Sequence, residues 1–221
     1  CEYTICVRST GPGIWTRARH DEAGGRTNFA SIGLGITTDG RGNTFYVGTF
    51  ERRLDVPGLA GTPLIGLGKQ DGYLAKLDPA GLPVWAVRMG TGGDDEARSV
   101  VTDANGMIYV TGYVDATRAS TFDAWFGTPM IVSPTPGRGQ DVFVVCYDTT
   151  GKPQWAKLYG GTGNDAGIDI TMSPASGDPI VVGRWAVNGL QEAFVARVNR
   201  GNGSLVGSPL YTTGASGGAA V

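Results

Sequence analysis

Three observations predict an all-β chain made of repeated four-stranded antiparallel units, the architecture of a β-propeller. Trp15, Trp85 and Trp155 stand 70 residues apart, each behind a short apolar run and a turn. Asp, Asn and Gly recur in those turns, where residues that tolerate positive φ and bond their own backbone are needed. No convincing helical period runs through the 221 residues.

Composition supports the first step. The chain carries 37 glycines and 12 prolines, with 17% charged residues. That much glycine without a three-residue period means either disorder or many tight turns. Disorder is excluded by the 41% hydrophobic content, which falls in short β-branched and aromatic runs. A net charge of −2, with Lys and Arg scattered, gives no electrostatic case for nucleic acid. No apolar stretch approaches the roughly 20 residues of a membrane helix. No leader is visible ahead of Cys1. Cys1 and Cys6 on one strand would lie about 17 Å apart, too far to bridge. Cys6 and Cys146 hold equivalent repeat positions and read as small buried hydrophobes; the pairing state of the three cysteines stays open.

The repeat is visible as aligned segments. Ahead of the tryptophans run TICVRSTGPGIW (4–15), YLAKLDPAGLPVW (73–85) and FVVCYDTTGKPQW (143–155). Glycine-acid loops follow in WAVRMGTGGDDEARSVV (85–101) and WAKLYGGTGNDAGIDI (155–170). Then come GITTDGRGNTFYVGTF (35–50), SVVTDANGMIYVTGYV (99–114) and DITMSPASGDPIVVGRW (169–185). A last copy, 192–218, carries Leu205 where a tryptophan is expected. In the unit with the clearest signal, strand one is expected at Ser99–Thr102, strand two at Met107–Tyr113, strand three at Asp141–Tyr147 and strand four at Pro153–Tyr159. The turns are expected at Asp103–Gly106 and Asp148–Gly151, with counterparts at Asp39–Asn43 and Asp78–Gly81. Tandem units of this kind point to radial repetition of small sheets.

On these residues the chain resembles the bacterial β-propeller repeat (SBBP-type) family, strongly over Asp71–Tyr113 and Asp141–Ile170 and more weakly over 1–50 and 178–221. The first copy departs from it, with RHDEAGGRTNFAS (18–31) in place of the glycine-acid loop. The resemblance implies an exported, surface-associated, multi-bladed protein and leaves its molecular role undefined.

The single propeller segment, 1–221, divides into a half blade (1–25), blades at 26–92, 93–162 and 163–213, and the start of another at 214–221. About three and a half blades make an incomplete ring, since closed propellers have about 4–8. An open strand edge is an aggregation template. Three explanations compete: more of the same polypeptide completes the ring, a partner or a second copy of the chain supplies the missing strands, or the ring closes small with loose ends.

Strand parity puts the connections from strand two to strand three on the same face as those between blades. That face gathers the insertions Glu51–Gln70, Val114–Gln140 and Ala186–Gln191 beside the loops His20–Arg26, Gly90–Glu96 and Gly160–Asp165. Long loops on a rigid scaffold commonly carry recognition. Phe122, Trp125, Phe126, Met130 and Ile131 are the candidate binding residues, being interface-anchor types within one insertion. The rival reading makes them a private core that packs the loop.

Asp94, Asp95 and Glu96, with Asp165 and Asp169, are the suggestive acids. Asp94, Asp95 and Asp165 are candidate calcium ligands, calcium being the one cofactor the pattern admits. The competing and favoured reading is that Asp95 and Asp165, ten residues after a tryptophan, accept backbone N–H bonds and lock the turn between blades. Trp15, Trp85 and Trp155 are expected to pack between neighbouring sheets rather than to stack sugars. His20 is the only histidine, and no GxSxG, Walker loop or CxxC is present. The expectation is a non-catalytic, extracellular or cell-surface scaffold for adhesion or protein–protein assembly. The alternative is a carbohydrate-binding or carbohydrate-cleaving propeller.

Overall fold

In the computed structural model, residues 31–212 are described apart from 57, 60–62, 116–138, 162 and 188–189. The described residues form strands, turns and bends with no helix. Three four-stranded antiparallel sheets follow one another along the chain. The first contains β1 (Ser31–Thr38), β2 (Thr44–Phe50), β5 (Asp71–Leu77) and β6 (Pro83–Met89), with a small hairpin, β3 (Arg53–Leu54) and β4 (Leu64–Ile65), between β2 and β5. The second is β7 (Glu96–Thr102), β8 (Ile108–Asp115), β9 (Gln140–Tyr147) and β10 (Pro153–Tyr159). The third is β11 (Ala166–Met172), β12 (Pro179–Val187), β13 (Leu190–Arg197) and β14 (Leu210–Tyr211). Within each sheet the spatial order is the sequence order, a meander. The half blade expected at 1–25 and the blade start at 214–221 lie outside the described residues.

The sheets stack as propeller blades do. β7 lies against β1, β2 and β5 of the first sheet, and β11 lies against β7, β8 and β9 of the second. Strand parity then gives every sheet one face toward its predecessor and one toward its successor. Phe45, Val47, Leu74, Val87 and Met89 of the first sheet bury against Ala97, Val100, Val110, Phe143 and Val145 of the second. Tyr109, Val142, Val144, Cys146 and Trp155 bury against Ile170, Val181, Phe194 and Ala196 of the third. Part of the rear face of the first sheet is covered by its own insertion, while Ile36 of β1 remains exposed there. Leu54, Val56, Leu59 and Leu64 pack there on Phe50, Tyr73 and Ala75, so Glu51–Gln70 carries a hairpin and a private core.

The tight turns use one device four times. Asp39, Asp78, Asp103 and Asp148 each accept, on Oδ1, the backbone N–H groups two and four residues ahead, at 2.8–3.1 Å. The glycine three residues on (Gly42, Gly81, Gly106, Gly151) sits at φ 81–83° and donates its N–H to the Asp carbonyl. Only glycine holds that conformation without strain, which is why Asp-x-x-Gly recurs.

Two expectations need correction. Strand one of the second sheet begins at Glu96 rather than Ser99, because its first half carries Glu96 and Arg98 and a β-bulge between Ala97 and Ser99. Leu205 does not hold the tryptophan position. It pairs with Val198 as Pro153 pairs with Tyr147, so it falls short of the position that holds Trp155. The preceding turn is one residue longer: Gly203 N–H reaches back to Asn199, where Gly151 N–H reaches Asp148. Strand four of this sheet is reduced to that bridge and the two residues of β14.

Candidate functional site

The repeated residues converge where one sheet meets the next. The Trp85 indole N–H donates to the Thr149 carbonyl in the strand three to four turn of the second sheet, at 3.3 Å. Trp155 does the same to Arg200 of the third, at 2.9 Å. Each ring covers a turn glycine of the following sheet: a Cβ at Gly151 would lie 3.1 Å from the Trp85 ring, and one at Gly203 2.7 Å from the Trp155 ring. The tryptophans dock each sheet on its successor's turn. Trp15 lies outside the described residues.

At the opposite end of the strands the glycine-acid loops make the second half of the joint. Asp95 is buried and accepts the N–H and hydroxyl of Thr91 and the N–H of Asp115 at the end of β8. Asp165 repeats the arrangement, accepting the N–H groups of Gly161 and Ala186. Asp95 N–H donates to Gln70 O at 2.9 Å, and Asp165 N–H to Gln140 O at 2.7 Å. Each loop is thus sewn to a glutamine at the edge of strand three of the sheet before it, Gln70 just ahead of β5 and Gln140 at the head of β9. The described ends of the insertions, at Gln70, Gln140 and Ala186, meet the glycine-acid loops at Asp95 and Asp165.

A second buried carboxylate stands in each joint. Asp71 opens β5, and Asp141 follows Gln140 at the start of β9; both are buried. A Cβ at Gly90 would collide with Asp71 Oδ1 and lie 2.9 Å from Asp95 Oδ2. A Cβ at Gly160 would collide with Asp141 Oδ1 and lie 3.0 Å from Asp165 Oδ2. Glycine is required there because two carboxylates clasp the same stretch of backbone. Asp71 also accepts the N–H groups of Leu67 and Gly68 at 2.9 and 3.2 Å, fixing the end of the insertion. Sequence reasoning missed these acids. The signal was present as QDGY (70–73), QDVF (140–143) and QEAF (191–194). Thr91 had no such signal, since its counterpart is Gly161.

Electrostatics follow from this burial. Removal from water pushes the Asp95 carboxyl up to about 7, the Asp71 charge adds to the rise, and the N–H donors of Thr91 and Asp115 oppose it. An unfolded Asp titrates near 4. Between about pH 4 and 7 the folded chain therefore holds a proton that the unfolded chain has released. The stability this group contributes is complete below pH 4, is lost as pH rises through 7, and is level beyond. We expect urea-unfolding stability to fall from about pH 5 to pH 7, by at most about 1.4 kcal/mol per unit, and Asp95→Asn to flatten that slope. A wild-type curve that stays level over this range, or matches that of Asp95→Asn, contradicts the assignment. Burial also pushes the Cys146 thiol up to about 12, so it remains a protonated core side chain, free of any disulfide.

The remaining candidates are dispersed. Asp94 is exposed toward Lys69 at 3.3 Å. Glu96 pairs with Arg98 at 2.6 Å, whose guanidinium lies over the Tyr113 ring. Asp169 accepts from Ser99 across the second and third sheets. Among the described residues no three His, Cys, Asp or Glu side chains form a group able to hold a metal ion. Asp95 and Asp165 each turn both carboxylate oxygens to backbone N–H donors. An apolar recess between the second and third sheets is lined by Val142, Val144, Tyr159, Val181, Trp185 and Phe194 and offers no acid–base pair. Phe122, Trp125, Phe126, Met130, Ile131 and His20 lie outside the described residues. No described helix is long and apolar enough to cross a membrane.

The chain matches no family model. Over 109 residues, 46% of its length, it is 33% identical to an uncharacterised WD repeat-containing protein of Acanthamoeba polyphaga mimivirus. The chain spans 8% of that relative's length. WD repeats are propeller blades. The match and the sheet architecture agree on a propeller-type repeat protein. The relative is viral, whereas the sequence resemblance pointed to a bacterial family.

Proposed function

We propose that the chain is a non-catalytic propeller scaffold of the SBBP type in an exported or cell-surface protein, serving adhesion or protein–protein assembly through its loop face. One observation carries the reading: Trp85, Trp155, Asp95 and Asp165, the residues that recur from unit to unit, are engaged in sheet-to-sheet joints. The repeat motif builds a frame, and recognition is left to the insertions that vary between units. Phe122, Trp125, Phe126, Met130 and Ile131 of Val114–Gln140 are the anchors this reading assigns.

Protease shaving and antibody labelling of intact producing cells test the location. Surface labelling is expected, and confinement to the cell interior counts against the proposal. A glycan array and a panel of chromogenic glycosides test the role. No specific binding and no turnover are expected; a sugar signal abolished by Trp125→Ala would replace this reading with the carbohydrate-binding one.

A further inference from the structure

Asn202 is the only asparagine in the chain with a serine or threonine two residues on, and it stands in the strand three to four turn of the third sheet. Asn-x-Ser/Thr, with any middle residue but proline, is the acceptor pattern for N-linked glycans in exported chains. The geometry suits that chemistry. Asn202 and Ser204 are exposed, whereas Gly203 between them is buried under the Trp155 ring. The turn is held from beneath by the Trp155 indole bond to the Arg200 carbonyl and by the Gly203 N–H bond to Asn199. Asn202 Oδ1 accepts the Ser204 N–H at 2.9 Å, closing an Asx-turn. Among the described residues neither Asn202 Nδ2 nor the Ser204 hydroxyl has a hydrogen-bond partner. The nitrogen to be glycosylated and the hydroxyl that the pattern requires are both uncommitted. Neighbouring asparagines lack this set. Asn43 spends its Nδ2 on Asp39 at 2.8 Å, and Asn199 closes the same kind of turn on the Gly201 N–H, at 2.9 Å, with no hydroxyl there.

We propose that Asn202 is an attachment site for an N-linked glycan. Asn202 Nδ2 forms a bond to the anomeric carbon of a lipid-diphosphate-linked oligosaccharide. The bond from that carbon to the diphosphate oxygen breaks, the lipid diphosphate leaves with the electron pair, and one Nδ2 proton passes to a base of the transferase. The inference rests on the reading of the chain as exported, because such donors are used outside the cytosol. The topology says which side is decorated. Gln191 near the head of β13 donates to Asn164 of the glycine-acid loop, so β13 runs from the loop face toward this turn. A glycan on Asn202 therefore stands on the face of tight turns and leaves the loop face clear for recognition.

Secretion of the full 221-residue chain behind a cleavable leader from a eukaryotic host, followed by intact-mass measurement and peptide mapping, is the test. One glycan is expected, on Asn202, released by peptide N-glycosidase. It should be absent from Asn202→Gln and from Ser204→Ala, and retained by Ser204→Thr, which keeps the hydroxyl and so separates loss of the acceptor from loss of the fold. Asn199 should stay unmodified throughout. A secreted chain of unmodified mass overturns the proposal. So does a glycan that persists in Asn202→Gln, or conversion of Asn202 to aspartate alone, which would mean spontaneous deamidation of the Asn-Gly pair. Acceptor chemistry and location fail separately: the leader carries the chain out whatever its natural address, and labelling of producing cells reports that address without reference to Asn202.

Discussion

Gly112→Ala is expected to cost about 3 kcal/mol or more and to lower the thermal midpoint by roughly 10 °C. The reason is local. Gly112 faces Ala97 across the β-bulge of β7, and a Cβ there would fall inside the Glu96 carbonyl oxygen and 2.9 Å from the Phe143 ring. Neither neighbour can yield: the carbonyl is backbone, and Phe143 is core. Gly48 and Gly183 meet the carbonyls of Ile32 and Ala166 in the same way, so the glycine of strand two is a steric requirement of the bulge in every sheet. Gly40→Ala is the control. A Cβ at Gly40 meets nothing within 4 Å, so the change should be near neutral, and equal losses at both positions would refute the steric explanation.

Trp155→Ala is the second large effect, expected at about 3–5 kcal/mol. The substitution removes an almost fully buried ring, its tilted contact with Tyr109 at 6.1 Å, and the N–H bond to Arg200. Trp155→Phe keeps the ring contact and loses the bond, so about 1 kcal/mol is expected. Trp85→Ala should cost less than Trp155→Ala, its indole being less buried and its bond longer, at 3.3 Å. Chemical denaturation of the four proteins checks the order. Trp155→Ala within about 1 kcal/mol of wild type would mean that the ring does not join two sheets.

The sequence revealed most where one residue type has one structural use. Asp-x-x-Gly turns were legible because only glycine accepts the positive φ they need, and the tryptophans were legible as joints because they recur at one place per unit. It revealed less where polarity misleads. The first half of β7 holds Glu96 and Arg98 and reads as loop, although its backbone pairs with β8. Asp71 and Asp141 open apolar strands, and a lone acid there resembles a turn residue until the partner loop is seen beside it. The tryptophan position of the third sheet was misplaced by one lengthened turn, since register in a hairpin is set by turn length and a single added residue displaces all that follows. Calcium at Asp94, Asp95 and Asp165 was a question of spatial convergence, which no spacing along the chain encodes.

The central claim is that each tryptophan docks on the turn of the next sheet, and indole ¹⁵N–¹H spectroscopy tests it most directly. Gly203→Ala, placed 48 residues beyond Trp155 in the sequence, is predicted to shift the Trp155 indole signal, speed its solvent exchange and leave Trp85 unchanged. Gly151→Ala is predicted to do the reverse. Indole signals indifferent to both substitutions, or both indoles exchanging as freely as in the unfolded chain, would contradict the account.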